Sequence, residues 1–143
     1  KISWFYRDRQ EAFMNYIKHK SEESLEDYLE TILLLSRQLP VVRAIDIANE
    51  MNFSKPSVSV AMKNLRNRNY ITVTDAGFIY LTETGQQLAE SVYERHAFIT
   101  EWLISLGVSP ETASADACRI EHDFSQESFD AIKHFVTAHI NDL

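Results

Sequence analysis

At 143 residues, 45 % of them apolar and 24 % charged, with a net charge of −7, the chain has the composition of an ordinary soluble domain. Three Gly and three Pro exclude a collagen, a propeller and a long disordered linker, and no apolar run approaches the roughly 18–20 residues that a membrane span needs. One Cys cannot close an internal disulfide, and without a secretory signal pattern the expected setting is cytoplasmic and reducing.

Residues 1–20 are aromatic and basic (Trp4, Phe5, Tyr6, Arg7, Arg9) and read as an N-terminal extension. The first residue is Lys, and Met14 is a candidate natural start, so the first 13 residues read as added or upstream sequence. Ser24-Leu25-Glu26-Asp27 resembles a capping box and predicts a helix ending before Pro40. Leu25, Tyr28, Leu29, Ile32, Leu33 and Ser36 fall on one arc of it, with Asp27, Glu30 and Leu34 opposite. Val42 to Met51 predicts a short second helix with Ala44, Ile47, Ala48 and Met51 inward. Asn52-Phe53-Ser54 makes a turn, Ser54 caps a third helix with Pro56 in its first turn, and Val58, Ala61, Met62 and Leu65 face the core. Two short helices around a tight turn predict a helix-turn-helix.

Tyr70–Thr74 and Phe78–Thr82 are β-rich runs separated by Asp75-Ala76-Gly77, a hairpin signal and hence a wing. Thr82 caps a long helix to about Leu106, with Leu88, Val92, His96, Ile99, Leu103 and Leu106 as its stripe and Gly107 just past its end. Ser109-Pro110-Glu111 opens a helix to about Phe124. Ser125 caps a last one, with Phe129, Ile132, Phe135 and Val136 on one side. The predicted fold is mainly α: an N-terminal winged helix-turn-helix with a two-stranded wing over 21–82, then an all-helical lobe over 83–143. The join falls inside the long helix, near 82–95, so the lobes are rigidly connected.

Charge is unevenly distributed. Between Ser54 and Tyr70 lie Lys55, Lys63, Arg66 and Arg68 and no acid, leaving 10 basic and 21 acidic residues elsewhere. From Glu83 to Leu143 there are 11 acids against Arg95, Arg119 and Lys133. A basic island on an acidic body suits a DNA reader joined to a lobe with another task, although a solvated helix face gives the same pattern.

Cys118-Arg119-Ile120-Glu121-His122 places a thiol, a carboxylate and an imidazole at i, i+3 and i+4, on one face of one helix and suitable for a divalent metal. A buried structural Cys on a half-exposed face fits the same spacing. His96 stands in an aliphatic stripe, where a hydrogen-bonded core histidine is the ordinary case. Asp27 and Glu30 lie one turn apart, where solvated acids are the ordinary case. If that face meets the second lobe, six candidate ligands converge from three helices and a metal ties the lobes together.

The ordered segments SLEDYLETI, RAIDIANEM, FSKPSVSVAMKNL, ITVTDAGFIYLTETG, YERHAFITEWL and DACRIEHDFS resemble the iron- and manganese-dependent repressors, the family of the diphtheria toxin repressor and the manganese transport regulator. The resemblance runs from about Ser21 to Ile140. It implies a homodimer of winged helices that binds double-stranded operator DNA when loaded with Mn²⁺ or Fe²⁺, other divalent metals substituting in vitro, and that controls metal-uptake genes. The helical lobe would be the metal-binding and dimerisation domain, and no membrane is involved.

By the same resemblance Asp27 and Glu30 match first-helix ligands of the manganese branch, and His96, Glu121 and His122 match ligands of both branches. Cys118 matches a position held by Glu in the manganese regulator and by Cys in the iron-responsive repressor. Asp27 stands where the iron branch has Met, so the site is a hybrid. Two ancillary ligands of the iron branch are replaced by Thr100 and Ser114, which puts that form of second site in doubt. The expected arrangement is the short two-domain form, without the iron branch's C-terminal SH3-like domain.

The expected mechanism is relief of repulsion: a cation clamps the acids of the first helix onto the second lobe and sets the spacing of the paired recognition helices. Ser54, Pro56 and Ser57 are expected near base edges and Lys63, Arg66 and Arg68 near phosphates, with Ser59 among the DNA-binding residues. Val60 stands where the diphtheria repressor has a polar base reader, and could meet a thymine methyl. An enzyme is not expected: no oxyanion-hole or phosphate-loop motif accompanies Cys118 and His122. The alternative is a metal-independent regulator, or one that senses oxidation through Cys118.

Overall fold

Apolar residues three and four apart put Leu29, Ile32 and Leu33 on the buried side of the first helix, α1 (23–38). The structure, a computed structural model, describes residues 23–139, so the expected extension over 1–20 lies outside the described residues. Helix α1 is already wound at Glu23, so Ser24 is not its N-cap. Asp27, the far end of the expected capping box, instead turns its carboxylate to the second lobe, 2.7 Å from His122.

Helix α2 (Ala44–Met51) begins later than the expected Val42. Val42 is drawn into the sheet, where its carbonyl accepts from Ile79 N–H at 2.8 Å. Asn52, at φ 56°, ends α2 in the left-handed region and starts the turn. Ser54 caps α3 (Lys55–Asn67) by accepting from Ser57 N–H at 3.3 Å, with Pro56 in the first turn, where no amide donor is required. Val58, Met62 and Leu65 point into the core shared with α1 and α2. The wing pairs β1 (Ile71–Val73) with β2 (Ile79–Leu81), antiparallel with Thr72 opposite Tyr80. Both strands are shorter than the runs the sequence predicts. Gly77, at φ 84°, supplies the turn conformation that a Cβ would strain.

Helix α4 (Glu83–Ser105) starts at Thr82, whose Oγ1 accepts from Gly85 N–H at 3.1 Å and donates to Asn69 O at 2.8 Å. At Gly85 a Cβ would lie 2.0 Å from Tyr70 O, so the helix sits directly on the base of the wing. Its first turns, through Ala89 and Leu88, join the winged-helix core, while Ile99 packs with Ala117 and Phe129 in a second core. One unbroken helix thus contributes to both cores. Its buried stripe differs at the end: Leu106 is 53 % exposed, whereas Arg95 is buried. Helix α5 (Pro110–Ile120) is capped by Ser109 and stops short of the expected Phe124, because residues 121–123 form a turn. Helix α6 (Gln126–His139) buries Phe129 and Val136 but leaves Phe135 63 % exposed. No described helix is long and apolar enough to cross a membrane.

Candidate metal centre and nucleic-acid interface

The turn that ends α5 carries the most deeply buried ionisable side chains of the second lobe. Glu121 and His122 are 2 % and 1 % exposed. Glu121 is the C-cap residue of α5, still in helical geometry with its N–H bonded to Ala117 O, so it keeps its i+3 spacing from Cys118, while His122 lies one residue beyond, in the turn. Arg95, one residue before His96 on α4, braces the turn from behind. Its guanidinium donates to Glu121 O at 3.2 Å, Phe124 O at 2.9 Å and Gln126 Oε1 at 2.7 Å, and stacks over the Phe129 ring. A buried cation spent on carbonyls fixes where Glu121 and His122 stand without neutralising them.

Around the turn the structure gathers all six sequence-predicted candidates. His96 Nδ1 lies 2.9 Å from Glu121 Oε2 and 3.7 Å from Cys118 Sγ. From α1, Asp27 Oδ1 lies 2.7 Å from His122 Nε2, and Glu30 hydrogen-bonds Glu121. Glu121 Oε1 approaches the same Nε2 to 3.3 Å. Two further acids were not anticipated. Glu26 Oε2 is 2.7 Å from His122 Nδ1. Glu23 offers a carboxylate oxygen that, with ligand atoms of Asp27 and His122, fits within a 4.8 Å span, the tightest such group among the described residues. Glu23 was within reach of sequence reasoning, since Glu23, Asp27 and Glu30 repeat at i, i+4 and i+7. Glu26, three residues after Glu23 and four before Glu30, shares that spacing, but nothing in the spacing ties it to His122.

The electrostatics are those of crowded acids. Burial, together with the Glu121 carboxylate and the nearby Asp27 charge, raises the Glu30 carboxyl to about 7. Burial alone would lower the proton affinity of His122, but the carboxylates of Asp27, Glu121 and Glu26 outweigh it and raise the ring to about 12. Partial burial and the charges of Glu121, Glu30 and Asp27 raise the Cys118 thiol. Among the described residues, the cationic partners of Glu26, Asp27 and Glu121 are imidazoles.

His122 Nε2 tests whether this donor set suits a cation. The atom is buried, with carboxylate oxygens of Asp27 and Glu121 at 2.7 and 3.3 Å, an ion-pair contact rather than a well-formed hydrogen bond. A buried nitrogen facing carboxylate oxygens from two lobes, with a thiol and a second imidazole beside them, is the donor chemistry of a divalent transition metal. The residues present therefore fit such an ion.

The second polar surface is α3 with the wing. Ser54, Pro56, Ser57, Ser59, Lys63, Arg66 and Arg68 are all exposed. Ser59, Val60, Lys63 and Arg66 line a groove closed by Val73 of the wing. Val60 is 62 % exposed, an apolar side chain left in solvent on the face that carries the cations. Arg68 lies over the Tyr70 ring at 5.7 Å, at the helix end nearest the wing.

Comparison with known proteins covers both lobes. Residues 20–77 match the family described as "Iron dependent repressor, N-terminal DNA binding domain", and residues 82–139 match "Iron dependent repressor, metal binding and dimerisation domain". The chain is 34 % identical over 129 residues to the transcriptional regulator MntR of Escherichia coli O6:H1, covering 90 % of this chain and 83 % of that protein. It is 33 % identical over 109 residues to the HTH-type transcriptional regulator MntR of Listeria monocytogenes serotype 4a, covering 76 % and 77 %. The crystal structure of the metal-dependent transcriptional regulator MtsR superposes with a TM-score of 0.73 at 27 % identity, over 79 % of this chain. The chain spans about half of that solved protein, 53 % of its length.

Proposed function

Since the chain belongs to the iron-dependent repressor family, we propose that it represses transcription by binding double-stranded operator DNA as a homodimer in the cytoplasm when Mn²⁺ or Fe²⁺ is held between its two lobes. The observation that carries this reading is His122: a buried imidazole of the second lobe clasped by Glu26 and Asp27 of α1, with Nε2 left without a hydrogen bond. Asp27, Glu30, His96, Cys118, Glu121 and His122 are the residues that would hold the ion. Carboxylates suit Mn²⁺, and the thiol with two imidazoles suits Fe²⁺ and later metals. A bound cation would supply the positive charge that this cluster of acids lacks.

Everything else is work done by the chain. Asp27 and Glu30 ride on α1, so engaging them fixes α1 against the 121–123 turn. Helix α1 shares its core with α2, α3 and the wing, and Tyr28 packs edge-on against Phe53 of the turn before α3. Seating α1 therefore seats the recognition helix relative to α4. Lys63, Arg66 and Arg68 are assigned to phosphates, and Ser54, Pro56, Ser57 and Ser59 to the groove edge of α3. The dimer contact is assigned to the apolar cleft between the end of α4 and α6, lined by Trp102, Leu106, Ile132, Phe135 and Val136. Matched recognition helices then meet successive major grooves only when both copies hold the same lobe geometry.

The redox alternative finds no support in the site, because partial burial and the neighbouring carboxylates raise the thiol and so favour its less reactive protonated form. An anaerobic titration tests the proposal. Duplexes selected by the protein from a random-sequence pool are bound in the presence of Mn²⁺, Fe²⁺ or Zn²⁺, with metal content measured in the same samples. The expected result is tight binding that tracks bound metal and is lost on chelation. Affinity that survives full metal removal overturns the proposal.

A further inference from the structure

Six residues are assigned to the cation, and Glu26 is not among them, yet it makes a short side-chain hydrogen bond between α1 and the second lobe. Its Oε2 lies 2.7 Å from His122 Nδ1, and its side chain is 17 % exposed. We propose that Glu26 is a positioning residue for the centre: it holds His122 by Nδ1 and so presents Nε2, and only Nε2, to the cation. The inference rests on the proposed cation site but makes a claim of its own about which nitrogen binds.

A cation on Nε2 displaces the proton there, and Nδ1, which faces the Glu26 carboxylate, keeps its own. Metal-bound histidines are commonly fixed in this way, by a carboxylate on the ring nitrogen away from the ion. At His122 the two sides of the ring are clearly distinguished. Nδ1 has a well-formed partner in Glu26. Nε2 has carboxylate oxygens at 2.7 and 3.3 Å but no hydrogen bond. The nitrogens of an imidazole point in diverging directions, so an oxygen bonded at Nδ1 is turned away from an ion on Nε2.

His122 has particular need of such a partner. It stands in the turn just past the C-cap residue of α5, outside the regular helix. Arg95 braces the backbone of this turn through Glu121 O and Phe124 O. The ring is therefore set from across the lobe junction. One hydrogen bond selects the nitrogen and sets the register of α1 against the turn.

The test uses the full chain with Glu26→Ala, Glu26→Gln and the unsubstituted protein. Mn²⁺ affinity is read from the free-ion electron paramagnetic resonance signal. The histidine ring nitrogens are read by ¹H–¹⁵N NMR, metal-free and with Zn²⁺ as a diamagnetic probe. Expected are a downfield Nδ1–H resonance of His122 in both states, Zn²⁺ on Nε2, and Mn²⁺ affinity about 10–100-fold weaker in Glu26→Ala with that resonance lost. Glu26→Gln keeps a carbonyl acceptor and should retain both the resonance and most of the affinity.

Glu26→Ala within twofold of the unsubstituted protein overturns the proposal. So does Zn²⁺ on Nδ1, or Glu26→Gln losing affinity while the Nδ1–H signal persists, which would make Glu26 a ligand. Should Glu26→Ala fail to fold, the Glu26→Gln affinity and spectrum decide alone. A chain that binds Mn²⁺ as described but grips DNA equally well without it sinks the proposed function and leaves the role of Glu26 standing. If no divalent ion binds at all, the centre and the role of Glu26 fall together.

Discussion

On α3, Lys63 and Arg66 stand in solvent, whereas at the lobe junction Glu121 and His122 are withdrawn from it and surrounded by acids. The first surface comes from one stretch of chain, and its cations keep their hydration, so they cost the fold little. The second draws on α1, α4, α5 and a turn, with Glu26 and His122 far apart in sequence. Burial there penalises every unpaired charge. A surface of the first kind is fitted to a partner by adding or removing single side chains. A centre of the second kind is bound up with the placement of whole elements, and that is why it can transmit a signal.

The largest expected effect breaks the centre. Glu121→Gln preserves shape but removes the carboxylate that touches His96, Glu30 and His122. Mn²⁺ affinity should fall about 100-fold or more, beyond the range of outer-shell changes. Metal-stimulated DNA binding should disappear with it, while far-ultraviolet circular dichroism stays unchanged. Direct titration of both ligands on one preparation checks this, and near-normal Mn²⁺ affinity would remove Glu121 from the ligand set.

The next effect breaks the mechanical link. Gly85→Ala places a methyl group against Tyr70 O, backbone that cannot swing aside. Stability to urea should drop by about 1–3 kcal/mol, the usual cost of overpacking. The loss should appear even without metal, because the contact joins α4 to the wing rather than to the centre.

The difference between the two surfaces also explains what could be read from the sequence. Ser54, Pro56 and the basic run to Arg68 are a local pattern, and local rules of capping and helical period suffice for it. Gly77 and the flanking β-rich runs gave the wing for the same reason. The six candidates could be named, but their convergence depends on α1 facing the second lobe, which periodicity alone leaves as one of two options. Glu26 and Arg95 were illegible because each acts through a tertiary partner: a ring nitrogen across the junction for one, carbonyls of a turn for the other. The capping-box reading of Ser24–Asp27 failed on the same ground, since Asp27 is claimed by His122. Leu106 and Phe135 are exposed although a helical stripe predicts them buried, and both line the cleft proposed as the dimer contact.

A smaller effect sharpens the contrast from the DNA side. Replacing Lys63 and Arg66 together by Ala should weaken binding to all duplexes alike and lower the slope of log affinity against log salt by about 2. Mn²⁺ affinity should stay the same, because neither cation approaches the centre. A changed Mn²⁺ affinity in this variant would show that the two surfaces are energetically joined through α3 itself.

The smallest effect is a pH dependence, and it runs in opposite directions for the metal-free and metal-loaded protein. Glu30 holds its proton more tightly in the folded chain, at about 7 against an ordinary 4.5. Its contribution to stability is therefore complete below 4.5 and is lost as pH rises through 7. His122, raised to about 12 from 6.5, contributes fully below 6.5 and progressively less above it. Metal-free protein should thus melt a few degrees lower at pH 8 than at pH 5.5, with Glu30 accounting for the early part of the fall. Ligands must shed these same protons to bind, so Mn²⁺ affinity rises over that interval. The gain in Tm on adding saturating Mn²⁺ should accordingly widen from pH 5.5 to pH 8. Calorimetric scans with and without Mn²⁺ at several pH values measure both slopes. A metal-free Tm that climbs with pH would mean that the acids at the junction are held apart rather than crowded, and the contrast between the two surfaces would lose its electrostatic basis.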